Sequence, residues 1–164
     1  MAEEVANKSR ELSTRVEFRD AACELARSAS LHLNILSYAL EREVYGHPDF
    51  VRAVQALATR HRMARIRILI HSPEWASRSG HRLVELARRL TSFVEMRELH
   101  EQDKQLISEV LIADERALLF RESPDTLVAL YQPEAPRVAR PWLKRFEGLW
   151  AGGEAVQALR QLNT

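Results

Sequence analysis

The stretch Leu106 to Phe120, LISEVLIADERALLF, is compatible with few folds. Its two halves are dense in Leu, Ile and Val, and Ala113-Asp114-Glu115 between them makes a short turn of the kind acidic residues favour. Two apolar segments joined this tightly predict a β-hairpin. The near-absence of polar alternation places it in a sheet covered on both faces. A chain of 164 residues, 46% apolar and 29% charged, is long enough to bury such a sheet within one domain.

Other features narrow the class further. No apolar run approaches the ~20 residues of a membrane span. The first residues, MAEEVANKSRELSTR, lack the apolar core of a secretory signal. Cys23 is the single cysteine, which excludes an internal disulfide and suits a reducing compartment. The expectation is a cytoplasmic protein with no membrane partner. Net charge is +1 but unevenly placed. Residues 52–97 carry ten Arg against three Glu, whereas residues 98–134 carry nine acidic side chains against three basic ones. Opposed blocks of this kind suit a basic surface for an anionic partner, or pairing with another subunit.

In chain order, residues 1–16 read as a loose lead-in and 17–164 as the domain. Phe18, Ala22, Leu25 and Ala29 recur at helical spacing, with Cys23 off the centre of the stripe. Leu31 to Tyr38 reads as a strand, and Ala39 to Gly46 as a loop. A helix opens at His47-Pro48-Asp49 with Phe50, Val54 and Leu57 inward. Arg65 to His71 is a second strand, Ser72 to Ser79 a polar loop, and Gly80 opens a helix. Phe93 to Leu99 is a third strand, His100 to Lys104 a charged turn, and Thr126 to Tyr131 a strand beyond the hairpin. Pro141 is expected to start a helix carrying Trp142, Phe146 and Trp150 on one face. Gly152-Gly153 ends it, and Glu154 to Leu162 reads as a short closing helix. Strand, helix and strand in succession predict parallel crossovers, followed by a meander.

This α/β order, a mixed sheet flanked by helices in a single domain and closed by WLKRFEGLW, resembles one half of the phospholipase D-like superfamily. It is also similar to an uncharacterised proteobacterial family of such domains. The resemblance implies a catalytic His-x-Lys-x4-Asp motif on the hairpin, facing a second copy in the partner half. With Asp114 in the aspartate position, the histidine position holds Ile107 and the lysine position Glu109. A histidine nucleophile forms and releases a covalent phosphoryl intermediate, and lysine holds the phosphate; isoleucine and glutamate do neither. The resemblance therefore implies a fold without the phosphodiesterase activity, acting as a binding or regulatory module and pairing as a homodimer.

Ligands of open α/β sheets gather beyond the carboxyl ends of the parallel strands. Those ends bring forward Tyr38, His71, Ser72, His100 and Lys104, with Trp75 able to close over them and Arg82 near a helix start. Such a cluster suits a small anion; an enzyme built around His71, His100 and Lys104 is the competing class. A third class is nucleic-acid binding through the arginines of 52–97, which pair well with phosphate. His71, His81 and His100 are the histidines that loops could gather, but no paired ligand spacing marks a metal site. No glycine-rich phosphate loop is present, and no cofactor is expected.

Overall fold

The computed structural model describes residues 8–76, 78 and 80–156. Its strands are β1 (Arg10–Leu12), β2 (His32–Ser37), β3 (Arg65–Ile70), β4 (Val94–Glu98), β5 (Glu109–Ala113), β6 (Ala117–Arg121), β7 (Ala129–Gln132) and β8 (Glu154–Ala155). Its helices are α1 (Arg15–Ser28), α2 (Arg42–Tyr45), α3 (Pro48–Arg60), α4 (Arg82–Arg89) and α5 (Pro136–Gly152). All the strands join one sheet in the order β1-β7-β6-β5-β2-β3-β4-β8. Strands β2, β3 and β4 are parallel, and the remaining pairings are antiparallel.

Local chemistry explains the helix starts. Thr14 caps α1 by accepting from the Glu17 backbone N–H at 3.0 Å, and the Glu17 carboxylate accepts from the Thr14 hydroxyl in return. His47 caps α3, its Nδ1 accepting from Asp49 N–H, with Pro48 at the first helical position.

The sheet is buried on both faces, as the hairpin composition requires. On one face α1, α3 and α4 cover Leu33, Ile35, Ile66, Ile68, Leu111 and Leu119. On the other, α5 lays Phe146 and Trp150 against Leu36, Leu69, Val110 and Ile112. Arg67 pins α5 down: its Nε donates to Asn34 Oδ1 at 2.8 Å, and both terminal nitrogens reach the Glu147 carboxylate. The guanidinium also lies 5.3 and 5.5 Å from the ring centres of Phe146 and Trp150.

Several expectations are corrected. Residues 10–12 of the expected lead-in form β1, paired with β7. The loop Ala39–Gly46 contains the short helix α2. Gly80 does not open a helix: its φ of 93° belongs to a turn, and α4 starts at Arg82. Helix α5 starts at Pro136, whose missing N–H is harmless there, and Pro141 lies inside it. The expected closing helix gives way at Glu154–Ala155 to β8, antiparallel to β4; residues 157–162 lie outside the described ones. Gly153 permits the crossing, because a Cβ there would sit 3.1 Å from Leu69 and 3.2 Å from the Glu98 carbonyl. The meander is confined to β5, β6 and β7, since β5 returns to pair with β2 and not β4. Cys23, off the apolar stripe, is nonetheless buried, and burial pushes its thiol pKa up.

The turn of the hairpin is tied to β2. Asp114, at φ 55°, accepts from the backbone N–H groups of Ser30, Leu31 and His32 at 2.9–3.0 Å. Asp114→Ala removes three charge-assisted bonds and leaves a left-handed residue that alanine resists, so it should destabilise the fold by about 3 kcal/mol. Asp114→Asn keeps one oxygen and tolerates the dihedral, and should lose less than half of that. Urea midpoints of the two variants check the order.

Candidate functional site

The carboxyl ends of β2, β3 and β4 share one edge with the start of β5 and the end of β6. The register places Glu109 opposite Arg121. Their side chains are 0% and 2% exposed and form an ion pair through Glu109 Oε2 and Arg121 Nη2. Glu109 Oε1 accepts from Ser37 Oγ at 3.0 Å and from the Tyr38 N–H at 3.2 Å. Arg121 also donates to Glu41 at 2.9 Å and lies 4.3 Å from the centre of the Phe18 ring. Burial pushes the Glu109 carboxyl pKa up, against the opposing pull of Arg121. Burial is the largest influence on Arg121 and lowers its pKa, but the Glu109 charge and hydrogen bond together with the Glu41 and Tyr45 charges outweigh it, and the net direction is up. Tyr45, wholly buried nearby, is raised well above its ordinary value by burial and then by Glu109.

Outside this pair the structure brings Tyr38, His71, Ser72 and Lys104 together. The Tyr38 and His71 rings stack at 4.4 Å. His71 Nε2 is 2.9 Å from the Lys104 carbonyl, which can only accept, so this nitrogen carries the proton. Nδ1 then accepts from the Ser72 hydroxyl at 2.9 Å. Both ring nitrogens are occupied. Lys104 bonds Glu98 at 2.7 Å, and that hydrogen bond raises its pKa. His100 caps the turn at Glu101–Asp103 through Nδ1.

Trp75 is 59% exposed beneath the guanidinium of Arg78, 4.2 Å from its ring centre. It walls a groove of about 510 Å³ with Arg15, Leu40, Glu41, Arg42 and Arg78. Arg82 does not reach this groove; it is exposed at the first residue of α4. His81 does not join His71 and His100 either. It is buried, donates from Nε2 to the Leu40 carbonyl at 2.9 Å, and burial lowers its pKa. Among the described residues no group of His, Cys, Asp and Glu is arranged to hold a metal ion, and no helix is long and apolar enough to cross a membrane.

In the sequence Glu109 stands out at the motif position, whereas Arg121 does not. The signal was available: both lie four residues from the ends of a tight turn, on facing strands. Ser37 and Glu41 carried none.

The fold is that of a phospholipase D-like α/β domain. The chain belongs to the family described as a domain of unknown function, DUF7931, whose model matches residues 14–162. No curated protein sequence matches it. Among solved structures, Nuc of Salmonella typhimurium, a phospholipase D family member, has a TM-score of 0.62 at 14% identity, with 91% of this chain and 99% of Nuc covered. NucT of Helicobacter pylori gives 0.62 at 15% identity over the same shares. TrmBL2, an archaeal chromatin protein that binds DNA, gives 0.64 at 17% identity, and 91% of this chain spans 54% of it. At these identities the likeness is one of fold.

Removing one partner of the buried pair strands the other. Arg121→Met should destabilise the domain by about 3–5 kcal/mol, and Glu109→Leu/Arg121→Met together should recover most of that loss. Urea denaturation of the two variants measures the coupling.

Proposed function

We propose that this domain is a non-catalytic binding or regulatory module on the phospholipase D-like fold. The observation that carries the reading is Glu109. Where the resemblance puts a phosphate-holding lysine, the chain has a buried carboxylate already matched by Arg121, Ser37 and the Tyr38 N–H. A phosphodiester brought here meets an acceptor with no spare donor. Ile107 stands at the nucleophile position, 42% exposed and without a nucleophilic atom. His71, the imidazole at the same edge, has both nitrogens engaged.

Binding falls to the outer part of the edge, to the Trp75 groove between Leu40, Arg42 and Arg78 rather than to the engaged His71 and Lys104. Arg15, Arg42 and Arg78 outnumber Glu41 and Glu43 there, which suits a small anion or an acidic protein segment. A second copy of the chain is the partner proposed for the rim. Leu127 and Val128 are half-exposed where β7 begins beside Arg121, and Ile107 is exposed before β5.

The protein should leave a chromogenic phosphodiester unhydrolysed, with or without divalent cations. Turnover that disappears in His71→Ala would overturn the reading. A thermal-shift screen of small anions should give a ligand that stabilises the wild type but not Trp75→Ala/Arg78→Ala.

In sedimentation velocity at micromolar concentration and low salt, the wild type should run as a dimer and Leu127→Asp/Val128→Asp as a monomer. A monomeric wild type removes the second copy from the proposal.

A further inference from the structure

We infer that the helical face of the domain, away from α5, carries a phosphodiester-backbone site in the groove between α1 and α3, suited to duplex nucleic acid of any sequence. This site is independent of the Trp75 groove.

The groove is about 440 Å³ and is lined by Arg27, Asp49, Arg52, Ala53, Ala56 and Arg60. Arg27 comes from the last turn of α1; Arg52 and Arg60 lie eight residues apart on α3, ~12 Å along its axis. Folding thus adds to the basic block an arginine that lies 25 residues before Arg52. Arg60 is aimed by its bond to the Ala29 carbonyl at 3.1 Å, which fixes the guanidinium across the helix junction. Arg52 bonds Asp49 at 2.7 Å, and that aspartate is the one acidic residue against three cations. Ala53 and Ala56 form the floor, so no long side chain keeps a phosphate away.

The surroundings extend the positive surface. Arg62 is exposed two residues beyond Arg60, and Arg82 and Arg89 are exposed on the adjacent α4. Glu85 is the one acidic residue on α4. Every basic residue of 52–97 is arginine, whose planar fork matches phosphate oxygens in pairs.

The lining contains no aromatic ring, and single-stranded nucleic acid is held largely by base stacking on such rings. Shallow spaced arginines with no stacking platform instead suit the regular backbone of a duplex. Contacts made only to phosphates carry no sequence information.

The test is fluorescence anisotropy with two labelled duplexes of unrelated sequence, titrated over a range of salt concentrations. Both should bind alike, in the micromolar range at low salt, and weaken linearly on a log–log plot. Arg27→Glu/Arg52→Glu should weaken binding at least about tenfold and flatten the slope by about 2, since each phosphate contact contributes ~0.9. Arg27→Gln/Arg52→Gln, checked for an unchanged Tm, should show the same direction with less disturbance of the fold. Trp75→Ala should bind as the wild type does. Wild-type binding that ignores salt, full binding by the charge-reversed variant, or preference for single strands or inorganic polyphosphate over duplex would each overturn the proposal.

Discussion

The organisation of the strand-end edge depends on the burial of Arg121 against Glu109. Taking two charges out of water costs several kcal/mol per ion, and attraction alone repays it only when the remaining donors and acceptors are filled. Here the repayment comes from four groups on β2, the loop that follows it, and α1. Ser37 ends β2, the Tyr38 N–H follows it, Glu41 precedes α2, and the Phe18 ring belongs to α1. The pair therefore joins the hairpin to β2 and to both helices above it. Arg121 commits Nη2 to Glu109 and Glu41 and is 2% exposed, so it has little to lend a ligand even though its buried Nε is left without a hydrogen-bond partner. Recognition is displaced outward, to Trp75 and the surface arginines.

Much of this was legible in the chain. The apolar halves of Leu106–Phe120 required a doubly covered sheet, and the tight turn at Asp114 fixed the register that sets 109 against 121. Strand ends likewise foretold that Tyr38, His71, Ser72 and Lys104 would meet. What composition could not convey was that both His71 nitrogens and the Lys104 ammonium there already have partners. That is a matter of ångströms: whether the Lys104 carbonyl lies within reach of His71 depends on the path of a short turn. Strands β1 and β8 were missed for another reason. Segments of three and two residues have no period to detect, and they become strands only because β7 and β4 offer free edges.

The basic block shows how folding divides one compositional signal between two uses. Arg67 and Arg97 turn under α5, where Arg97 bonds the Trp150 carbonyl at 2.8 Å and lies 4.3 Å from its ring centre. These two act as fasteners, burying their stems against indole and phenyl rings. Arg52, Arg60, Arg62, Arg82 and Arg89 emerge on the opposite side of the sheet, in water. Net charge summed along the chain cannot separate the two groups, since the period-two alternation of β3 and β4 and the helix faces decide it.

The brevity of the outermost strands has a further consequence. An unpaired edge is a template on which another chain can add itself, and long flat edges invite fibrous growth. Here the sheet ends in three residues on one side and two on the other, with Arg10, Glu11 and Glu154 among them. Were β8 to peel away, β4 would present a five-residue rim, with buried Val94 and Met96 alternating with charged side chains. The small strand that closes the fold thus also acts as a stopper against runaway assembly.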